Sequence, residues 1–235
     1  DALTGECRLD SAAGYQTVSR SDVTREYILH VPAGYDGSEA LPLVIAFHGN
    51  GGCADQFAGY EAQLEGTADR NGFLLAYPQG LSRAKGSTEW DPGDPATDSI
   101  QDNDLAFVDA LIEDISAQYS VRAAQIYTVG YSNGGMMAYG AACHRGEQVA
   151  AVGIMSGVML ADDCDEDTYT SIIHFHGTAD DALPLSGNES YPSVASGIDF
   201  WVAHNETPEL ATVDLGAGVA RESWSGGVED TAVVL

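Results

Sequence analysis

Gln125-Ile126-Tyr127-Thr128-Val129-Gly130-Tyr131-Ser132-Asn133-Gly134-Gly135-Met136 runs from an apolar, β-branched stretch through G-x-S-x-G into a segment that reads as a helix to Cys143. A serine flanked in this way, between a strand and a helix, has the context of a nucleophile elbow. The turn is so sharp that side chains at 130 and 134 would collide with neighbouring backbone, and the strain lifts the Ser132 hydroxyl clear of the sheet. G-x-S-x-G alone is common by chance; the strand–turn–helix setting gives it meaning here.

Outward from this stretch, strands and helices alternate. Leu41 to Phe47 is a continuous apolar run, as a strand buried on both faces requires, and its Pro42 lies near the start, where a missing ladder donor is tolerated. Before it, Arg25 to Val31 alternates with period two, and Pro32 to Gly37 breaks it as a turn. Phe57, Tyr60, Leu64 and Ala68 fall at helical spacing; Phe73 to Tyr77 reads as a strand; and Leu105, Val108, Ile112, Ile115 and Tyr119 mark one face of an amphipathic helix. Val149 to Met155 and Ile172 to Phe175 are two more buried strands. The expected class is α/β, with a mostly parallel central sheet and helices on both faces, as one domain over residues 1–235. In such a sheet, reactive groups belong at the carboxyl ends of strands.

Acyl transfer at Ser132 would need an oxyanion site, and backbone N–H donors supply one at about 3 kcal/mol each. Asn133, after the serine, is one expected donor. Phe47-His48-Gly49-Asn50-Gly51-Gly52 ends a buried strand in a glycine-rich turn, which nominates Asn50 as the second donor, with Gly51 in reserve, and His48 as a turn-fixing residue. An ordinary tight turn is the alternative. The acid should follow the serine on a later strand-end loop. His176-Gly177-Thr178-Ala179-Asp180-Asp181 supplies it, with Asp180 preferred over Asp181 and His176 read as fixing the loop.

The chain carries 36 acidic residues against 9 basic ones, a net charge of −27, and Lys85 is its only lysine. Nucleic acid and an anionic membrane surface are therefore excluded as expected partners. The charge reads either as a well-solvated surface or as a fit to a salt-rich habitat. No apolar run approaches the ~18 residues of a membrane span. Four dispersed cysteines, at 7, 53, 143 and 164, fit two disulfides in an oxidising compartment, with four buried thiols as the alternative. Asp163, Asp165 and Asp167 mimic the start of a calcium loop, but its glycine and closing glutamate are missing, so neither metal nor cofactor is expected. Sequons at Asn188 and Asn205 read as chance occurrences.

Arg25 to Pro32, Leu43 to Gly52, Tyr127 to Met136 and His176 to Asp180 together resemble the secreted polyhydroxybutyrate depolymerase and feruloyl esterase family of α/β-hydrolases, over roughly residues 23–207. The resemblance implies a secreted serine esterase with a Ser–His–Asp triad built on Ser132 and Asp180 and no metal. Its substrate would be a polyester, such as a polyhydroxyalkanoate or an aromatic polyester, or feruloyl or acetyl esters on plant polysaccharide. It also implies that the loop with Trp90 corresponds to a substrate-side tryptophan region, with loop packing as the alternative. The family often has cysteines at the places of Cys143 and Cys164, which pairs these two and leaves Cys7 with Cys53 by elimination. The catalytic histidine of the family lies after the last strand, and Thr231 to Leu235 reads as an edge or penultimate strand. The expectation is therefore a monomeric catalytic domain whose base histidine lies beyond Leu235, because His204, the only histidine after Asp180, falls in a peripheral helix. An inactive fragment or binding module lacking its base is the competing class.

Overall fold

The computed structural model describes residues 7, 9–20, 22–82, 87–91, 103–161 and 164–235, so Lys85 and Asp163 lie outside the described residues. The chain forms two compact units, residues 1–126 and 127–235.

In the first unit, β1 (Tyr15–Arg20) and β2 (Val23–His30) make an antiparallel hairpin, and β2 lies antiparallel to β4 (Leu74–Pro78). Strand β3 (Leu41–Phe47) runs parallel to β4, giving the order β1-β2-β4-β3. Every residue of β4 is buried, so its sequence is an unbroken apolar run. The segment between β3 and β4 departs from expectation. Helix α1 (Ala54–Gln56) passes into a π-helical turn over Phe57–Ala62, the left-handed Gln63 (φ 49°) breaks the path, and α2 (Glu65–Asn71) starts anew. Phe57 and Ala68 are buried, but Tyr60 is 82% exposed, so the four residues at helical spacing do not form one face. A small ribbon, β5 (Leu81–Ser82) with β6 (Thr88–Glu89), precedes α3 (Asp104–Gln118), whose start is capped by Asn103 accepting from the Leu105 and Ala106 amides. Arg25 is buried over the Phe107 ring and donates to Asp104 at 2.8 Å, a fully buried ion pair. Cys7 and Cys53 form a disulfide.

Strand β7 (Val121–Tyr131) crosses the boundary between the units and is longer at both ends than its apolar run suggests. The second unit continues with α4 (Asn133–His144), β8 (Ala151–Met155), β9 (Ser171–Phe175) and α5 (Val194–His204). A hairpin of β10 (Glu209–Gly216) and β11 (Val219–Ser225) follows, then β12 (Val233–Val234). The order is β7-β8-β9-β12-β11-β10, parallel from β7 to β12 and antiparallel beyond. The last strand is thus not an edge: β12 has β9 on one side and β11 on the other. The true edge is β10, all eight residues of which are exposed. Cys143 and Cys164 form the second disulfide, tying the end of α4 to the loop after β8. Among the described residues no helix is long and apolar enough to cross a membrane, and no cluster could hold a metal ion.

Candidate active site

Ser132 occupies the junction of β7 and α4 with φ 54° and ψ −120°, a conformation that L-residues rarely adopt and that surrounding structure must enforce. The enforcement is visible. A Cβ on Gly130 would lie 2.1 Å from the Gly134 carbonyl oxygen, so only glycine lets the strand end and the helix start touch. The Ser132 N–H donates to Met155 O at 2.9 Å, and its carbonyl accepts from the Gly135 and Met136 amides as α4 begins. Its Oγ caps no backbone amide of that helix. Asn133 is the first residue of α4.

Strand register brings the loop of Asp180 to the same edge. Tyr131, Met155 and Phe175 are direct partners across β7, β8 and β9, so Ser132, Ser156 and His176 follow at the three carboxyl ends. Adjacent strands are about 4.8 Å apart, which puts the loop after β9 roughly 10 Å from the serine's strand, room for one imidazole between them. Asp180 lies on that loop. Its Oδ1 accepts from Leu183 N at 2.8 Å and Ala182 N at 3.0 Å. These bonds occupy Oδ1 and leave Oδ2 directed elsewhere, 3.6 Å from His176 Nε2. The Leu183 amide is the largest cause holding the Asp180 carboxyl below its usual range; Ala182, His176 and the Ser156 hydroxyl add to it. Ser156, with φ 48°, was not singled out from sequence; its only signal there is its position at a strand's carboxyl end.

His176 uses both ring nitrogens, Nε2 toward Leu183 O at 2.6 Å and Nδ1 toward His174 Nε2 at 3.0 Å. His174 Nδ1 in turn bonds the Tyr139 hydroxyl at 2.7 Å. Burial, and then the neighbouring His176, lower the His174 pKa to about 4. His204 donates from Nε2 to Thr168 O and stacks on Phe200. His144, at the far end of α4, is about 18 Å from Ser132 by helical rise. Asn205 is buried and donates to Thr170 O, which leaves no room for a glycan there.

The remaining expected residues belong to the first unit, where they share one turn. His48 is buried and donates from Nδ1 to Gly49 O, while its Nε2 accepts from Gly80 N; burial lowers its pKa to about 4. The Gly51 N–H is committed to Thr88 O at 2.6 Å, and the Asn50 side chain is held by Ser87 and Glu89. Trp90 is 4% exposed, its indole N–H donating to His48 O at 2.8 Å and its ring packed on Phe47 and His48. In this arrangement Trp90 braces the turn that carries Asn50.

Comparison with known proteins gives a consistent result. The model of the family described as esterase PHB depolymerase matches residues 25–200. Feruloyl esterase C of Emericella nidulans is 29% identical over 69% of this chain, and probable feruloyl esterase C of Aspergillus clavatus 32% over 69%. In both cases the matched part spans 57% of the relative. Among solved structures, an acetyl xylan esterase from Aspergillus awamori superposes with a TM-score of 0.72 at 17% identity, covering 94% of this chain and 91% of that one. The protein titled pOPH gives 0.63 at 15% identity, covering 88% and 81%.

Proposed function

From a chain that belongs to the esterase PHB depolymerase family, with the α/β-hydrolase fold, we propose a serine carboxylic-ester hydrolase in which Ser132 is the nucleophile and Asp180 the acid. The observation that carries this is the strained backbone of Ser132, enforced by the contact between Gly130 and Gly134. Strain of that kind is retained where an exposed hydroxyl has a task. Ser132 attacks the ester carbonyl, the Asn133 amide receives the developing oxyanion, the alcohol leaves, and water releases the acid from the acyl-enzyme. Asp180 orients the imidazole that takes the serine proton and stabilises its cationic form.

The six histidines do not include an obvious base. His48, His174 and His176 have both nitrogens engaged, His30 pairs with Asp69, His204 is bonded to Thr168, and His144 is remote. The reading therefore assigns the proton acceptor to an imidazole that none of these six supplies.

For the substrate, the names of the curated relatives support hydroxycinnamoyl esters, and the description of the family supports a polyester. Two disulfides support an extracellular setting. Fluorophosphonate should label Ser132 and nothing else, and added imidazole should accelerate turnover of p-nitrophenyl acetate, above the rate with imidazole alone, in wild type but not in Ser132→Ala. A label elsewhere, or turnover that survives Ser132→Ala, would refute the assignment. Methyl ferulate, acetylated xylan and polyhydroxybutyrate film compared side by side decide the substrate class.

A further inference from the structure

The buried row Tyr139, His174 and His176 has no part in the chemistry above, yet it joins the two elements that do. Tyr139 lies seven residues after Ser132 on α4, His174 is inside β9, and His176 opens the loop that carries Asp180. The direction of every bond in the row follows from its last acceptor. A carbonyl oxygen can only accept, so His176 must hold its proton on Nε2 to bond Leu183 O. In the neutral ring Nδ1 is then an acceptor, which places the His174 proton on Nε2. His174 Nδ1 is left to accept, and the Tyr139 hydroxyl donates to it. With His176 neutral, donors and acceptors match along the whole row in one arrangement.

We propose that Tyr139, His174 and His176 act as a strut that sets the position of Asp180 relative to the helix carrying Ser132, with His176 the positioning residue in contact with the acid loop. This rests on the reading of Asp180 as the acid. His176 grips Leu183 O, while Asp180 Oδ1 grips the amides of Ala182 and Leu183. Leu183 is thus held at both its amide and its carbonyl, and the loop cannot turn without moving the carboxylate. Asp180 Oδ2, 3.6 Å from His176 Nε2, is too far for a hydrogen bond, so His176 itself does not take up the carboxylate. His176 thereby shapes the site without touching substrate.

The test has a catalytic and a spectroscopic arm on the whole chain. His176→Ala should lower imidazole-assisted kcat about tenfold to a hundredfold at unchanged KM, as expected of an acid displaced by a fraction of a bond length. His176→Gln, which keeps an acceptor and a donor, should recover much of it. Nitrogen-15 spectra of wild type should show both His174 and His176 protonated on Nε2, and Tyr139→Phe should perturb His174. In His176→Ala the Ala182 and Leu183 amides should exchange faster by at least about tenfold, while those of β9 keep their protection. An Nδ1–H tautomer at His176, or unchanged exchange at Ala182 and Leu183, would overturn the strut. Absence of Ser132-dependent turnover in wild type would instead strike the functional reading, and the spectra would still judge the strut.

Discussion

Acidification should destabilise this protein before most of its carboxylates titrate, through two histidines buried as neutral rings. Burial lowers His48 and His174 from 6.5 to about 4. Unfolding returns each to about 6.5, so between those values the unfolded chain takes up two protons that the folded chain refuses. Stability is therefore full above pH ~6.5, declines as pH falls, and stops declining from this cause near pH ~4. At pH ~5 each ring removes about 2 kcal/mol and the pair about 4, a large share of the 5–15 kcal/mol typical of a domain. The lowered carboxyls of Asp36, Asp69 and Asp180 act in the same sense only at still lower pH. Relief of the −27 net charge acts against it, and high salt suppresses that term by shortening the Debye length to about 3 Å. The assay is urea unfolding in high salt at about pH 7, 6 and 5. The stability slope should approach about 2.7 kcal/mol per pH unit in wild type and about half that in His48→Gln, which keeps an acceptor for the Gly80 amide. A midpoint that does not move between pH ~7 and ~5, or a His48→Gln slope equal to wild type, would refute the reasoning.

Gly130→Ala should abolish folding or cost more than about 4 kcal/mol, read as soluble yield and melting temperature, because the new methyl meets backbone that cannot yield. Arg25→Met should cost about 3–5 kcal/mol by stranding the Asp104 carboxylate, and adding Asp104→Leu should restore a substantial part in the same melt. Melting temperature should rise from low to about 1 M sodium chloride as the surface charge is screened, and a flat curve would remove self-repulsion as a factor.

What could be read beforehand follows from how strongly burial or backbone constrains a residue. Strands β3 and β4 are covered enough to need apolar runs, and Gly130 could be nothing else, so both were plain in the sequence, whereas β8 and β9 run apolar although Met155, Ile173 and Phe175 are exposed. The break at Gln63 carries neither glycine nor proline, and a non-glycine residue in the left-handed region leaves no mark. The β10–β11 hairpin is solvated along β10, so no burial imposes alternation on it. Two-residue β12 is too short to show a period, and its interior place depends on neighbours far along the chain. The strand-end positions of Ser132 and of the loop with Asp180 were legible from their motifs. The Tyr139–His174 bond spans 35 residues and was not, although a histidine inside an apolar strand, two before another, was its one hint. Trp90 could have faced solvent or the core; the His48 carbonyl it bonds decides for the core.

The β10–β11 hairpin ends in Gly216-Ala217-Gly218, with both glycines at positive φ and nothing within 4 Å of where their side chains would be. Such a tip is open ground for an engineer. Exposed tips of small residues are where inserted peptides are best tolerated. An affinity tag, a fluorophore handle or a polymer-gripping module spliced at Ala217 would hang from the outer edge of the sheet, four strands from β8 in the order β8-β9-β12-β11-β10 and farther still from the strand that carries Ser132. The protein thus offers a built-in mounting point for immobilising it on a surface while the strand ends bearing Ser132 and Asp180 stay as they are.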